Sequence, residues 1–331
     1  MIIEYGLVNI INSDLSSKGL DIYPKLTTQV HSMLDISVNI KGLKLDNPLI
    51  LASGILDENG YTMKRILEQG AGAVVTKSIG MEERTGYRPP VVAEVNSGLL
   101  NAVGLPNPGI ENFGEEVKIA LKAKKPVIGS VFGSDAEEFL YLAKKMESYG
   151  AGAVELNLSC PHVKGFGSEV GSDPDLVEAI VNELKKGIKV PVFAKLSPNV
   201  TDIVEIAKAA SKADALVLIN TVRGMAVDIY ARKPILTNTY GGLSGRSIKP
   251  VGVRYVYEVK KETGKTVIGV GGISDYTDAL EYIMAGSSAV QIGTALYTEG
   301  KEVFNRINEG ITNFMKAEKF ETVEEMVGVA L

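Results

Sequence analysis

Apolar runs of four to six residues alternate with helical patterns of ten to fifteen along most of this chain, and that alternation constrains its fold more than any other feature. The runs are Leu49–Ala52, Ala73–Thr76, Val127–Val131, Ala153–Asn157, Val192–Leu196, Ala215–Asn220, Val267–Val270 and Ala289–Ile292. Short apolar runs bounded by turn residues read as strands buried on both faces. Helical segments between them make each a βα unit, the crossover that parallel strands need. An internal echo supports the count. Gly70-Ala71-Gly72-Ala73-Val74-Val75 resembles Gly150-Ala151-Gly152-Ala153-Val154-Glu155, with weaker copies at Ala213–Val217 and Ala285–Val290. In each, glycine or another small residue ends a helix and lets the next strand enter tightly.

Eight βα units predict an α/β fold of the (β/α)8 TIM-barrel type, typically ~250 residues. Within 331 residues that leaves an N-terminal arm over 1–37, without clear periodicity, and a barrel over 38–331. The alternation Val38, Ile40, Leu43, Leu45 suggests a hairpin closing one end of the barrel. Two polar, glycine-rich insertions, Ile79 to about Phe113 and Val222–Pro250, follow strand C-terminal ends, the face where barrels carry chemistry. A doubly wound open sheet is the competing fold. It calls for a GxGxxG turn after the first strand, and Ser53-Gly54-Ile55-Leu56-Asp57 does not match.

Composition removes whole classes of function. A net charge of −5 gives no basic footprint for nucleic acid. No apolar run approaches the ~20 residues of a membrane helix, and the N-terminus lacks signal-peptide features, so a cytoplasmic protein is expected. One cysteine allows neither an internal disulfide nor a cluster held by thiolates. Clustered metal ligands are absent at the strand ends, and no G-x-S-x-G turn is present.

Polar groups recur where the apolar runs stop. A lysine at such a place usually snorkels to water. Lys77 and Lys195, at the ends of different strands and each within two residues of Ser or Thr, instead point to an anionic ligand. Gly271-Gly272 after the seventh strand and Gly293-Thr294 after the eighth occupy the positions where barrels hold phosphate on backbone N–H groups. The alternative is a pair of ordinary tight turns. Asn96–Gly109 is too polar and kinked for a core element, and reads as a surface loop or as a loop folded over a ligand, with Asn101 as donor and acceptor. Cys160 follows the fourth strand. A lone cysteine is usually a small buried hydrophobe, but a thiol of pKa ~8.5 in a glycine-rich loop can act as base or nucleophile. His162 is a neighbour of that thiol or merely a loop residue, and His31 in the arm reads as structural.

These residues resemble class 1 dihydroorotate dehydrogenases. The resemblance runs from about Val38 to the last helix. It is carried by Thr76-Lys77-Ser78, Glu83-Arg84-Thr85-Gly86, Asn101 to Gly109, Asn157-Leu158-Ser159-Cys160-Pro161, Asn220-Thr221, Gly241 to Gly245, Gly271-Gly272 and Gly293-Thr294. It implies an FMN-binding barrel that oxidises dihydroorotate to orotate in pyrimidine biosynthesis, with Cys160 as catalytic base. It implies flavin contacts at Ser53, Lys77, Ser78, Ser130, Asn157, Lys195, Ile219, Gly245, Gly271, Gly272, Gly293 and Thr294. Substrate contacts are implied at Lys77, Asn101, Ala102, Val103, Gly104, Leu105, Asn157, Asn220 and Thr221. Asparagine is common in the family where this chain has His162. Some members reduce fumarate as homodimers. Others pass electrons through an iron–sulfur and FAD subunit to NAD, and Asn101 to Leu105 resembles the catalytic subunit of that second type. A homodimeric core is expected, and any iron–sulfur cluster must sit on another chain.

Two other classes fit parts of the pattern. A flavin-free lyase or isomerase would hold a phosphorylated substrate at the same glycine turns. A non-catalytic scaffold would not need a thiol, two lysines and several asparagines on one face.

Overall fold

Eight parallel strands close on themselves in chain order: β1 (Leu49–Leu51), β2 (Ala73–Val75), β3 (Val127–Val131), β4 (Ala153–Asn157), β5 (Val192–Leu196), β6 (Ala215–Leu218), β7 (Val267–Val270) and β8 (Ser287–Ile292). β8 pairs with β1 through Val290–Leu49 and Ile292–Leu51, which completes the ring. This computed structural model describes residues 34–159 and 170–331. Cys160, His162, His31 and the arm before Leu34 therefore lie outside the described residues. The unit Leu34–Leu331 is compact. Leu34, Ile36 and Val38 pack against its core, and Asp35 bridges to Thr322.

Strand geometry sends alternate side chains to opposite faces. Val127 and Val131, Val154 and Leu156, Val192, Ala194 and Leu196, and Leu216 and Leu218 face the helical layer and join the large outer core. Ile128, Ala153, Phe193, Ala215, Val217, Ile268 and Ala289 have the other parity and fill the barrel. Phe193 is fully buried there, and truncating such a side chain to Ala costs about 3–5 kcal/mol. The hairpin of Val38–Ile40 with Leu43–Leu45 places Ile40, Leu43 and Leu45 in the same inner cluster. Leu43 lies against Gly152, just before β4 begins, so the hairpin stops the end of the barrel where strands start.

Helices follow the strands, and five of them begin at side-chain caps. Asn59, Asp135, Asp173, Asp202 and Asp275 each accept from backbone N–H groups of the first turn, satisfying donors that a helix start leaves unpaired. The echoed glycines do what their repetition implies. Gly70 and Gly150 have φ of 104° and 99°, a conformation that side chains resist. Each reverses the chain from helix into strand. No described helix is long and apolar enough to cross a membrane.

The two insertions fold together. Val92–Val95, Gly98–Asn101, Gly241–Ser244 and Val222–Gly224 form one antiparallel sheet. This corrects the reading of Asn96–Gly109 as too polar for a core element. Gly98–Asn101 is a strand of that sheet, and Leu100 is buried with Ala102 and Leu236 in a small core of its own.

Candidate active site at the C-terminal mouth of the barrel

Every barrel strand ends on the same side, so the residues just past each apolar run gather there. Ser53 Oγ lies 3.3 Å from Ser78 Oγ, which lies 2.8 Å from Ser130 Oγ. Asn157 Nδ2 donates to Ser78 Oγ at 3.1 Å. Asn220 Nδ2 reaches Asn157 Oδ1 at 3.4 Å and Ser159 Oγ at 2.9 Å. Thr221 N donates back to Asn220 Oδ1 at 2.7 Å. One hydrogen-bonded chain thus runs across the ends of β1, β2, β3, β4 and β6. Hydroxyls and primary amides can donate or accept, so this rim can match a planar ligand with alternating polar edges.

Lys77 sits beside that chain. Its Nζ pairs with Glu58 Oε1 at 2.8 Å; the lysine side chain is 10% exposed and the glutamate 66%. Beneath them Asp57 is buried. Burial pushes its carboxyl up, against the lowering effects of the Gly54 N–H and the nearby Lys77 charge. Lys77, Glu58, Arg84, Pro106 and Asn107 share a cavity of about 240 Å³.

The turns after β7 and β8 come together with a third glycine. A Cβ on Gly272 would lie 2.8 Å from the Gly245 carbonyl oxygen, and one on Gly245 would lie 2.7 Å from Gly98 Cα and 3.4 Å from Thr294 Cγ2. Thr294 Oγ1 donates to Ser244 Oγ at 2.8 Å. Among the described residues, the N–H groups of Gly272, Ile273, Gly293 and Thr294 have no backbone acceptor. Free N–H groups in a glycine-lined cradle are what an anionic phosphate needs. The cradle is braced from behind. Tyr282 Oη donates to the Gly271 carbonyl at 2.7 Å, and Asp278 accepts from Ser274 and Asp275 N–H and from Lys249.

Inside the ring, Lys195 reaches Gln291 Oε1 at 3.2 Å, and Gln291 Nε2 donates to Glu155 Oε2. Lys195 Nζ is also 3.4 Å from Glu155 Oε1, within ion-pair range but without hydrogen-bond geometry. Neither Glu155 nor Gln291 is among the residues that the sequence singles out. Ile219 follows β6, buried, with its N–H on the Val270 carbonyl.

The insertion residues divide. Asn101 Nδ2 donates to the Gly242 carbonyl at 3.2 Å, and Gly242 packs against Thr221; both predicted substrate residues therefore meet at one edge. Ala102 is turned into the small insertion core. Val103, Gly104 and Leu105 pack instead by Gly86-Tyr87 and Asn107, and no described hydrogen bond ties them to the mouth chain.

The chain is also similar to known proteins. A family model described as dihydroorotate dehydrogenase matches residues 35–315. The chain is 70% identical over 299 residues to the "Dihydroorotate dehydrogenase B (NAD(+)), catalytic subunit" of Thermoplasma volcanium, covering 90% of this chain and 99% of that protein. The protein of the same name from Thermoplasma acidophilum is also 70% identical, with 90% and 100% covered. That from Methanocaldococcus jannaschii is 50% identical over 301 residues, with 89% and 98% covered.

Proposed function

This chain belongs to the dihydroorotate dehydrogenase family, and on that premise we propose that its barrel mouth oxidises dihydroorotate to orotate with FMN, in pyrimidine biosynthesis. The observation that carries the reading is the pairing of two features on one rim: the unbroken chain from Ser53 to Thr221 and the glycine cradle with free N–H groups. FMN fits both, since it has a phosphate at one end and a planar ring with polar edges at the other. When bound, it supplies the acceptor for the hydride that leaves C6 of the substrate.

The chain's own residues do the rest. Gly271, Gly272, Gly293, Thr294 and Gly245 hold the phosphate. Ser53, Ser78, Ser130, Asn157 and Ile219 line the ring, and Lys195 brings a positive charge to it. Asn101, Asn157, Asn220 and Thr221 meet the amide and imide edges of dihydroorotate. Lys77 faces the substrate carboxylate, and Glu58 is the exposed partner that this carboxylate replaces. Ala102, Val103, Gly104 and Leu105 shape the insertion that carries Asn101. Cys160, as thiolate, takes the proton from C5.

The relatives are named as catalytic subunits of an NAD(+) enzyme. Electrons therefore leave this chain, in the same proposal, through a second subunit carrying iron–sulfur and FAD groups, with a homodimer of this chain at the core, in the cytoplasm. The test is anaerobic addition of dihydroorotate to the purified protein. Yellow protein that bleaches and yields orotate supports the reading. Protein that is colourless, and stays so with added FMN, sinks it and favours the flavin-free lyase or isomerase. Assays with NAD, fumarate and quinones then identify the electron acceptor.

A further inference from the structure

Glu155 is wholly buried in the middle of β4, and no step of the proposed reaction uses it. An acid there needs an explanation, because desolvating a charge costs several kcal/mol. Its neighbours supply one. A carboxylate only accepts and an ammonium only donates. The Gln291 amide between Glu155 and Lys195 can therefore lie only one way round, Nε2 to the acid and Oε1 to the lysine, as observed. Lys195 is paired in register with Asn157, the last residue of β4, whereas Glu155 is two residues nearer the closed end. The acid thus lies on the closed-end side of the ammonium, paired with it by charge and joined to it through the amide.

Lys195 is only 6% exposed, and a charge taken out of water needs an opposite charge and hydrogen bonds beside it. We propose that Glu155 is a positioning residue: with Gln291 as a bridge, it supplies the opposite charge that holds the Lys195 ammonium at the flavin ring, and so sets how readily the ring accepts electrons. The inference rests on the reading of Lys195 as a flavin contact.

The experiment compares the FMN-loaded wild type with Lys195→Met, Glu155→Gln, the double variant and Gln291→Met, equilibrating each anaerobically against a reference dye. Lys195→Met should lower the equilibrium constant for flavin reduction about tenfold or more, about 30 mV for a two-electron couple. Glu155→Gln should lower it by a similar factor, and the double variant should go no further than Lys195→Met alone. A purely structural Glu155 would change the melting temperature and leave the equilibrium where it was. An unchanged or raised constant in Glu155→Gln overturns the inference. No change in Lys195→Met overturns instead the flavin contact on which it rests. Should Glu155→Gln not fold, Gln291→Met decides: it adds and removes no charge, a smaller fall supports the bridge, and no fall overturns it.

Discussion

Asn101 Nδ2 and the Gly242 carbonyl, 141 residues apart in the chain, are joined at 3.2 Å, and through them the insertion after β2 meets the insertion after β6. On Gly242 a Cβ would sit 2.1 Å from Thr221 Oγ1. The glycine is thus what allows Asn101 and Thr221 to share an edge of the mouth. Gly242→Ala should displace Thr221, cost about 1–3 kcal/mol by overpacking and raise KM for dihydroorotate about tenfold, a loss of ~1.4 kcal/mol in binding. FMN content should hold. A variant with unchanged KM would take this edge out of the substrate site.

Removal of the thiol should separate binding from chemistry. Cys160→Ala is expected to keep FMN yet slow reduction by dihydroorotate about 10²–10⁴-fold, the range of a lost general base. Stopped-flow mixing without oxygen reads this directly. Cys160→Ser should retain some rate, climbing steeply at high pH. Reduction as fast as wild type in the alanine variant sinks the base assignment.

The barrel was legible because its signal is local and repeated: each apolar run carries its own helix, and several carry a side-chain cap or a glycine turn as well. The strand-end polar residues were legible for the same reason, since Lys77, Asn157 and Asn220 interrupt apolar runs. Glu155 and Gln291 interrupt them too. Their inward parity, shared with Ser130 and Lys195, only acquires meaning once the ring is closed and β4 faces β8. The insertion sheet left no such mark. Its central pairing joins Leu100 to Leu243, and no pattern within either segment specifies a partner so distant. Asn101 was visible as a polar residue in a kinked stretch, but not as the last residue of a strand.

Glu58 is exposed and Lys77 is not, so in the proposed function the acid is the partner that would yield to the substrate carboxylate. Ion pairs with one exposed member are worth about 0.2–1 kcal/mol, which corresponds to roughly 1.4- to 5-fold in affinity. Glu58→Gln should therefore lower KM for dihydroorotate by a factor in that range and leave kcat close to wild type. A raised KM would make Glu58 a substrate ligand rather than a competitor.

Asp57 makes a prediction with a definite sign. Burial raises its carboxyl above the usual range, so the folded protein holds this proton to a higher pH than the unfolded chain, where Asp titrates near ~3.9. The folded state binds more protons in that window, and stability must fall as pH rises through it. The contribution is fully present below the unfolded value and lost above the folded one. Asp57→Asn cannot ionise. Its melting temperature relative to wild type should improve as pH rises above about 4, where the unfolded Asp titrates, and level off once the folded carboxyl has ionised. A difference that stays flat across the range would mean that Asp57 is ionised at no extra cost.

Tyr282 braces the glycine cradle at the ends of β7 and β8. Its ring lies against Gly269, its hydroxyl is aimed at Gly252, and that hydroxyl donates to the Gly271 carbonyl. Burial, with Glu281 and Asp278 nearby, pushes the hydroxyl up, so it remains a neutral donor at every working pH. Removing it leaves the Gly271 carbonyl short of a partner and frees the turn to rotate its N–H groups away from the mouth. A lost hydrogen bond of about 1 kcal/mol translates to roughly fivefold. Tyr282→Phe should weaken FMN binding by about that factor, read by flavin fluorescence, and leave riboflavin, which lacks the phosphate, bound as in wild type. Equal weakening of both flavins would place the effect at the ring or in the fold at large. Wild-type protein that binds the two equally would remove phosphate from the cradle altogether.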